Sequence, residues 1–191
     1  MKLIFATNNL NKLAEIRELA PNNINILSLD DIHCVNELPE TKDTLEGNAM
    51  QKADFIFRKF GFNCFADDTG LEIEALNGEP GVYSARYASL ISDANKNISK
   101  VLSKLQNKKN RRAQFRTVIA LIINGKKYYF EGKCKGHITT HTIGEKGFGY
   151  DPIFIPNGFD NTFAQMSKRD KNLISHRGNA VRKLIEFLSK G

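Results

Sequence analysis

The sequence has no long hydrophobic run. Nothing in its 191 residues approaches the roughly 20 consecutive apolar residues that cross a bilayer, which excludes a helical membrane protein. It is also poor in cysteine, with three residues, Cys34, Cys64 and Cys134. The count is odd and no Cys-x-x-Cys pair occurs, so reduced thiols are expected rather than a disulfide framework or a zinc site. Internal repeats and low-complexity linkers are absent. The apolar run near the start, KLIFAT, is too short for a signal peptide, and a cytoplasmic protein is the expectation. No Walker loop (G-x-x-x-x-G-K-S/T) occurs. No nucleophile-elbow pattern surrounds Ser175.

What the chain does have is an ordinary core and a surplus of positive charge. Apolar residues make up 41% and charged residues 26%, as in soluble globular proteins. The length fits one domain able to bury a sizeable core. Lys plus Arg number 28 against 21 Asp plus Glu, a net charge of +7, which favours anionic partners. The basic segment NKKNRR (107–112) lies between a helix and a strand and reads as a solvated loop. No nucleic-acid-binding signature accompanies it; nucleic acid and a nucleotide both remain possible partners.

Periodicity gives the elements. KLIFAT (2–7) is a short apolar strand, and Leu13, Ile16 and Leu19 follow at helical spacing. Residues 43–61 form a helix with its apolar face on Leu45, Ala49, Ala53 and Ile56. Asp43 and Glu46 have capping-box spacing and Gly61 suits the C-terminal cap. Lys52 falls on the buried side of that helix. NCFADD (63–68) is a strand, and LEIEAL (71–76) alternates like a second one before an Asn77-Gly78 turn. Ala94, Ile98, Val101, Leu102 and Leu105 mark a helix behind Ser92. A hairpin turns at Asn124-Gly125, its first strand apolar throughout and hence central. GHITTHTI (136–143) reads as a further strand. The glycine-rich GEKGFGYDP leads into a short strand, IFIP, and an amphipathic helix carrying Ala180, Val181, Leu184, Ile185 and Leu188 ends the chain. Strands and helices mix without strict alternation, which predicts an α/β fold around a mixed sheet.

Five places could carry chemistry. In ATNNLNK, the turn from the first strand into the first helix sets helix amides and Lys12 where an anion could bind; the residues alone slightly favour a plain capped turn with an exposed lysine. Asp67 and Asp68 end a strand. Magnesium uses one or two carboxylates with substrate phosphates, whereas Asp-Thr-Gly is also the aspartic-protease loop, or simply a turn. A protease needs two aspartates sharing a proton, and this chain has one such motif. Glu37, Glu40, Asp43 and Glu46 lie ahead of Lys52, and one could complete a metal site, although surface acids at a helix start are common. Lys52 either snorkels to solvent or meets a buried anion. GFGYDP offers backbone approach and rings that stack on bases, or rings that plug a core. Lys171, His176 and Arg177 supply donors near the start of the last helix.

TNNLNK, FADDTGLEIEALNGEPGVYSARYA, GFGYDPIFIP and SHRGNAVRKL occur in that order. Together they resemble the inosine/xanthosine triphosphate pyrophosphatase family across essentially the whole chain. The resemblance implies an elongated two-lobed α/β fold with a long mixed β-sheet, flanking helices and a central cleft, and a homodimer. It implies magnesium-dependent hydrolysis of dITP, ITP or XTP to the monophosphate and pyrophosphate. Carried over residue by residue, Thr7, Asn8, Asn9, Leu10, Asn11 and Lys12 would hold the triphosphate. Asp68 would bind magnesium and act as base, Glu40 would help hold the metal, and Asp67 and Lys52 would support the metal and phosphates. Thr69 would touch substrate. Phe148, Gly149, Tyr150, Asp151, Lys171, His176 and Arg177 would line the base and sugar pocket. The segment around Glu40, PETKDTLEGNA, departs from the family's usual pattern.

Overall fold

Seven strands form one mixed sheet in the computed structural model, which describes residues 1–190. The strands are β1 (Lys2–Phe5), β2 (Asn25–Leu27), β3 (Cys64–Ile73), β4 (Pro80–Gly81), β5 (Arg112–Ile123), β6 (Lys126–Ile138) and β7 (Phe154–Pro156). Their order is β2-β1-β3-β5-β6-β7, with β4 pairing β3. β1 pairs parallel with both β2 and β3; β3–β4 and β6–β7 are antiparallel. The helices are α1 (Leu10–Leu19), α2 (Leu45–Phe60), α3 (Ala94–Lys104), α4 (Lys168–Ile174) and α5 (His176–Ser189). The predicted α/β class with a mixed sheet and flanking helices is what the chain adopts. No described helix is long and apolar enough to cross a membrane.

The chain divides into two compact units. The first comprises residues 1–68, 117–132 and 177 onward; the second comprises 69–116 and 133–176. In the first unit the sheet is covered on both faces. Leu3 and Phe5 of β1, Phe65 of β3 and Ile119 and Leu121 of β5 pack against α1 and α5. Their sequence neighbours Ile4, Ala6, Cys64, Ala66, Ala120 and Ile122 pack against Ala49, Ala53 and Ile56 of α2. This is the period-two alternation of a strand with an apolar layer on each side. The rings of Phe5 and Phe65, paired in register, stack at 4.6 Å.

In the second unit one apolar layer dominates. Leu71 and Ile73 of β3, Ala113 and Phe115 of β5 and Cys134 and Ile138 of β6 pack with Ile98 and Val101 of α3. Residues 112–116 of β5 accordingly alternate in burial, while 117–122 are continuously buried.

Several local expectations are corrected. β3 does not stop at Asp68 but runs ten residues, and Glu74–Leu76 is a single 3₁₀ turn rather than strand. Gly70 is not a turn glycine: a Cβ there would stand 2.6 Å from the Gly81 carbonyl oxygen, so its bareness lets β4 approach. The helix of residues 45–60 is capped by Thr44, whose hydroxyl accepts from the Gly47 amide, not by Asp43. Asp93, not Ser92, caps α3. β6 ends at Ile138, so residues 139–143 are not strand. Residues 107–110 are exposed, as a solvated loop requires, but Arg111 is half-buried and its guanidinium donates to the carbonyls of Leu105, Ile138 and Thr139.

Candidate active site

The two aspartates sit mid-strand, so their side chains leave the sheet on opposite faces. This placement removes the Asp-Thr-Gly loop of an aspartic protease, and the plain turn with it. Asp67 follows Phe65 towards α1 and α5. Its Oδ1 accepts from Lys12 Nζ at 3.0 Å and its Oδ2 from Arg177 Nε at 3.3 Å. Arg177 also donates to Glu15, a buried acid on α1. Asp68 follows Ala66 towards α2. Its Oδ2 accepts from Asn48 Nδ2 at 3.1 Å, and its Oδ1 lies 3.8 Å from Lys52 Nζ. The Lys52 ammonium in turn donates to Glu40.

The electrostatics separate the two acids. Burial opposes the charge on Asp67, but Lys12, Arg177 and Lys52 outweigh it and hold the carboxyl well below the ordinary carboxylate range. Asp68 goes the other way: burial raises it first, and the charge of Glu40 adds, against the pull of Lys52 and Lys12. Neighbouring carboxylates pushed apart in this manner take different parts in proton chemistry, with the raised one placed to hold and release a proton. Burial works against the Lys52 ammonium too, yet Asp68, Glu40 and Asp67 keep it above the usual lysine value. Lys12 is lowered, first by burial and then by Lys52 and Arg177, with Asp67 opposing.

The turn before α1 is the capped strand-to-helix turn, the second of the two readings its sequence allows. Asn9 is the N-cap, and its side-chain oxygen accepts from the amides of Asn11 and Lys12. The Asn9 amide donates to Thr7 Oγ1. Two of the helix amides expected to face an anion are therefore already capped. The positive charge of this segment comes from Lys12. Asn8, Leu10 and Asn11 are exposed, Thr7 and Asn9 half-buried.

In the second unit, Phe148, Gly149, Tyr150 and Asp151 form a tight glycine-rich loop. Asp151 is buried, and its Oδ2 accepts from the Phe148 amide at 2.9 Å and from Lys171 Nζ at 2.7 Å. That carboxylate occupies the place of a side chain at Gly147, where φ is +75° and a Cβ would stand 2.0 Å from Asp151 Oδ2. The Lys171 ammonium lies 4.8 Å from the centroid of the Phe148 ring, a favourable cation–π distance. Tyr150 is a core residue whose hydroxyl donates to the Ser84 carbonyl. Lys171 belongs to a separate short helix, α4, capped by Ser167, not to the start of the last helix. The His176 ring is buried and stacks on Phe115 at 4.5 Å. Thr69, next to Asp68 along β3, is half-buried.

The structure thus gathers Lys12, Lys52, Glu40, Asp67, Asp68 and Arg177 in the first unit, and Phe148 to Asp151, Lys171 and His176 in the second. Arg177 is expected with the base and sugar residues but has its guanidinium on Asp67 and Glu15. Sequence reasoning misses Glu15 and Asn48. Their only signal is spacing: Glu15 stands three residues from Lys12, and Asn48 four from Lys52, so each shares a helix face with a lysine.

Two carboxylates here, those of Glu40 and Asp68, could serve a divalent ion. Glu40 and Asp68 both reach the one ammonium of Lys52, so their carboxylates approach a common point. Among the described residues no group of three or more metal-ligating side chains occurs. A pair of carboxylates without histidine or cysteine suits a hard ion that takes its other ligands from water and substrate oxygens.

Comparison with known proteins gives a consistent picture. The model of the Ham1 family matches residues 3–187. A Flavobacterium johnsoniae protein named dITP/XTP pyrophosphatase is 57% identical over 189 residues, covering 99% of this chain and 98% of its own. A Bacillus subtilis protein of the same name is 43% identical, covering 97% and 96%. Among solved structures, a Coxiella burnetii HAM1 protein superimposes with TM-score 0.92 at 36% identity over 100% of both chains. The Staphylococcus aureus Ham1 protein does so with TM-score 0.90 at 39% identity, covering 100% and 99%.

Proposed function

The chain belongs to the Ham1 family, and from that premise we propose that it is a nucleoside triphosphate pyrophosphatase. It hydrolyses dITP, ITP or XTP to the monophosphate and pyrophosphate, removing deaminated purines from the nucleotide pool. The observation that carries this reading is the split pair on β3. Asp67 is locked in ion pairs with Lys12 and Arg177, while Asp68 stands on the other face with a raised pKa beside Lys52 and Glu40.

Asp68 takes the proton of the water that attacks the α-phosphorus. A base with a raised pKa is matched to that task. The P–O bond to the β-phosphate breaks, and pyrophosphate leaves with the negative charge. Lys12 and Lys52 offset that charge, which is the main catalytic need in phosphoryl transfer. Asp68 and Glu40 would hold magnesium, which when bound polarises the phosphate oxygens. The side chains of Thr7 to Lys12 take the triphosphate, with Lys12 supplying the charge. Asp67, with Arg177 and Glu15 behind it, keeps the Lys12 ammonium in place.

The base and sugar are assigned to Thr69, Phe148, Gly149, Tyr150, Asp151, Lys171 and His176, while Arg177, paired with Asp67 and Glu15, supports the phosphate end. A histidine N–H directed at position 6 accepts hypoxanthine or xanthine, whose 6-oxo group is an acceptor. It rejects adenine, whose 6-amino group is a donor; guanine shares the 6-oxo group, so its rejection falls on the 2-amino group that hypoxanthine and xanthine lack. An unpaired buried donor can cost a substrate a factor of about 10⁴. All 191 residues act as one cytoplasmic domain, working as a homodimer, with a small nucleotide rather than nucleic acid or membrane as partner.

The test is incubation of the purified chain with magnesium and a panel of dITP, ITP, XTP, GTP and ATP, with pyrophosphate resolved from orthophosphate. Pyrophosphate from the first three, in excess over ATP and GTP, is the expected result. Orthophosphate as the product, or no release from any of them, contradicts it.

A further inference from the structure

The chemistry proposed above leaves one buried polar side chain on α2 without a task. Asn48 is 4% exposed and stands in the first turns of the helix, next to Ala49 and one turn before Lys52. Asparagine is a weak helix former because its amide competes for backbone hydrogen bonds. Burying it costs stability unless both ends of the amide find partners. Both do. Oδ1 accepts the backbone N–H of Lys42 at 2.8 Å, and Nδ2 donates to Asp68 Oδ2 at 3.1 Å. A backbone N–H can only donate, so the amide oxygen is fixed on Lys42 and the NH₂ group is forced onto Asp68. Lys42 lies two residues beyond Glu40. One side chain therefore ties the segment that carries Glu40 to the carboxylate of Asp68. Lys52, on the same helix face, meets the same two acids.

We propose that Asn48 is a positioning residue for the hydrolysis: its amide fixes the rotation of the Asp68 carboxylate and couples that carboxylate to the Glu40 segment. The proposal rests on the reading of Asp68 as the base. A base works only within hydrogen-bond reach and in one direction. With Oδ2 held by Asn48, the same oxygen of Asp68 is presented in every turnover. Partners that orient an acting group without touching substrate are typically worth about 10- to 100-fold in activity.

Two substitutions separate the halves of the amide. Asn48→Asp keeps an oxygen for the Lys42 N–H but replaces the donor facing Asp68 by an acceptor. Asn48→Ala removes both contacts. The measurements are kcat and KM with dITP, and hydrogen exchange at the Lys42 amide. In Asn48→Asp, kcat is expected to fall about 10- to 100-fold, with KM within about three-fold of wild type and Lys42 still protected. In Asn48→Ala, kcat falls and the Lys42 protection is lost. The proposal is overturned if Asn48→Asp keeps kcat within about two-fold of wild type or loses kcat/KM wholly through KM. It is also overturned if Lys42 stays as protected in Asn48→Ala as in the wild type. A wild-type chain that turns over no dITP defeats the hydrolase reading itself, an outcome distinct from any ratio of variant to wild type.

Discussion

A strand turns consecutive side chains to opposite faces, and that alone places Asp67 and Asp68 in different surroundings. Opposite consequences follow from replacing each by its amide. Asp68 carries its charge against burial and against Glu40, so Asp68→Asn is expected to leave the unfolding free energy unchanged or higher. Its kcat should fall by about 10² to 10⁴, the usual worth of a general base. Asp67→Asn leaves Lys12 and Arg177 facing a neutral amide in a buried place. It should destabilise by about 3 kcal/mol, as breaking one side of a buried ion pair does. The folded pKa of Asp67 lies below its unfolded value near 3.9. Its contribution is therefore complete above that value and is lost as pH falls through the folded pKa. Urea unfolding should show wild-type stability declining from about pH 5 downward, with a shallower decline in Asp67→Asn. Asp68, Lys12 and Lys52 stand out in the sequence as charges beside apolar stripes. Glu15 and Asn48 do not, because Arg177 lies 162 residues from the first and Asp68 lies 20 from the second.

The elements follow the hydrophobic period where the period is clean. α2 shows its Leu45, Ala49, Ala53 and Ile56 face, and β5 its continuous apolar run. Asn124 and Gly125, with φ of +50° and +75°, form the turn that their types predict. β3 is misread because Asp67, Asp68 and Thr69 interrupt its apolar pattern, and only the lysines and arginine packed beside it make two mid-strand acids tolerable. α4 is too short, at seven residues, to show a helical period. The capping of α2 gives a direct check. Thr44→Ala should cost about 1 kcal/mol in urea unfolding, the usual value of an N-cap hydroxyl. Asp43→Ala should cost only a few tenths, the worth of an exposed acid near a helix N-terminus. Equal costs would put the cap back at Asp43.

For the chain taken whole, the buried thiols report on cooperativity. Burial, with the charge of Asp54 adding, pushes the Cys64 thiol up to about 12, and burial pushes Cys134 to about 11. Neither should react with a thiol reagent at pH 8 until the chain opens, since the thiolate is the reacting form. Cys64 belongs to the first unit and Cys134 to the second. If residues 1–191 behave as one domain, both label with a single rate across a urea series. Faster labelling of one shows its unit opening alone.

The central claim is that Asp68 directs water to the α-phosphorus. It is tested most directly by hydrolysing dITP in H₂¹⁸O and locating the label. The account predicts one ¹⁸O in the nucleoside monophosphate and none in pyrophosphate. Label in pyrophosphate places the attack on the β-phosphorus, and labelled orthophosphate places it on the γ-phosphorus; either result contradicts the claim.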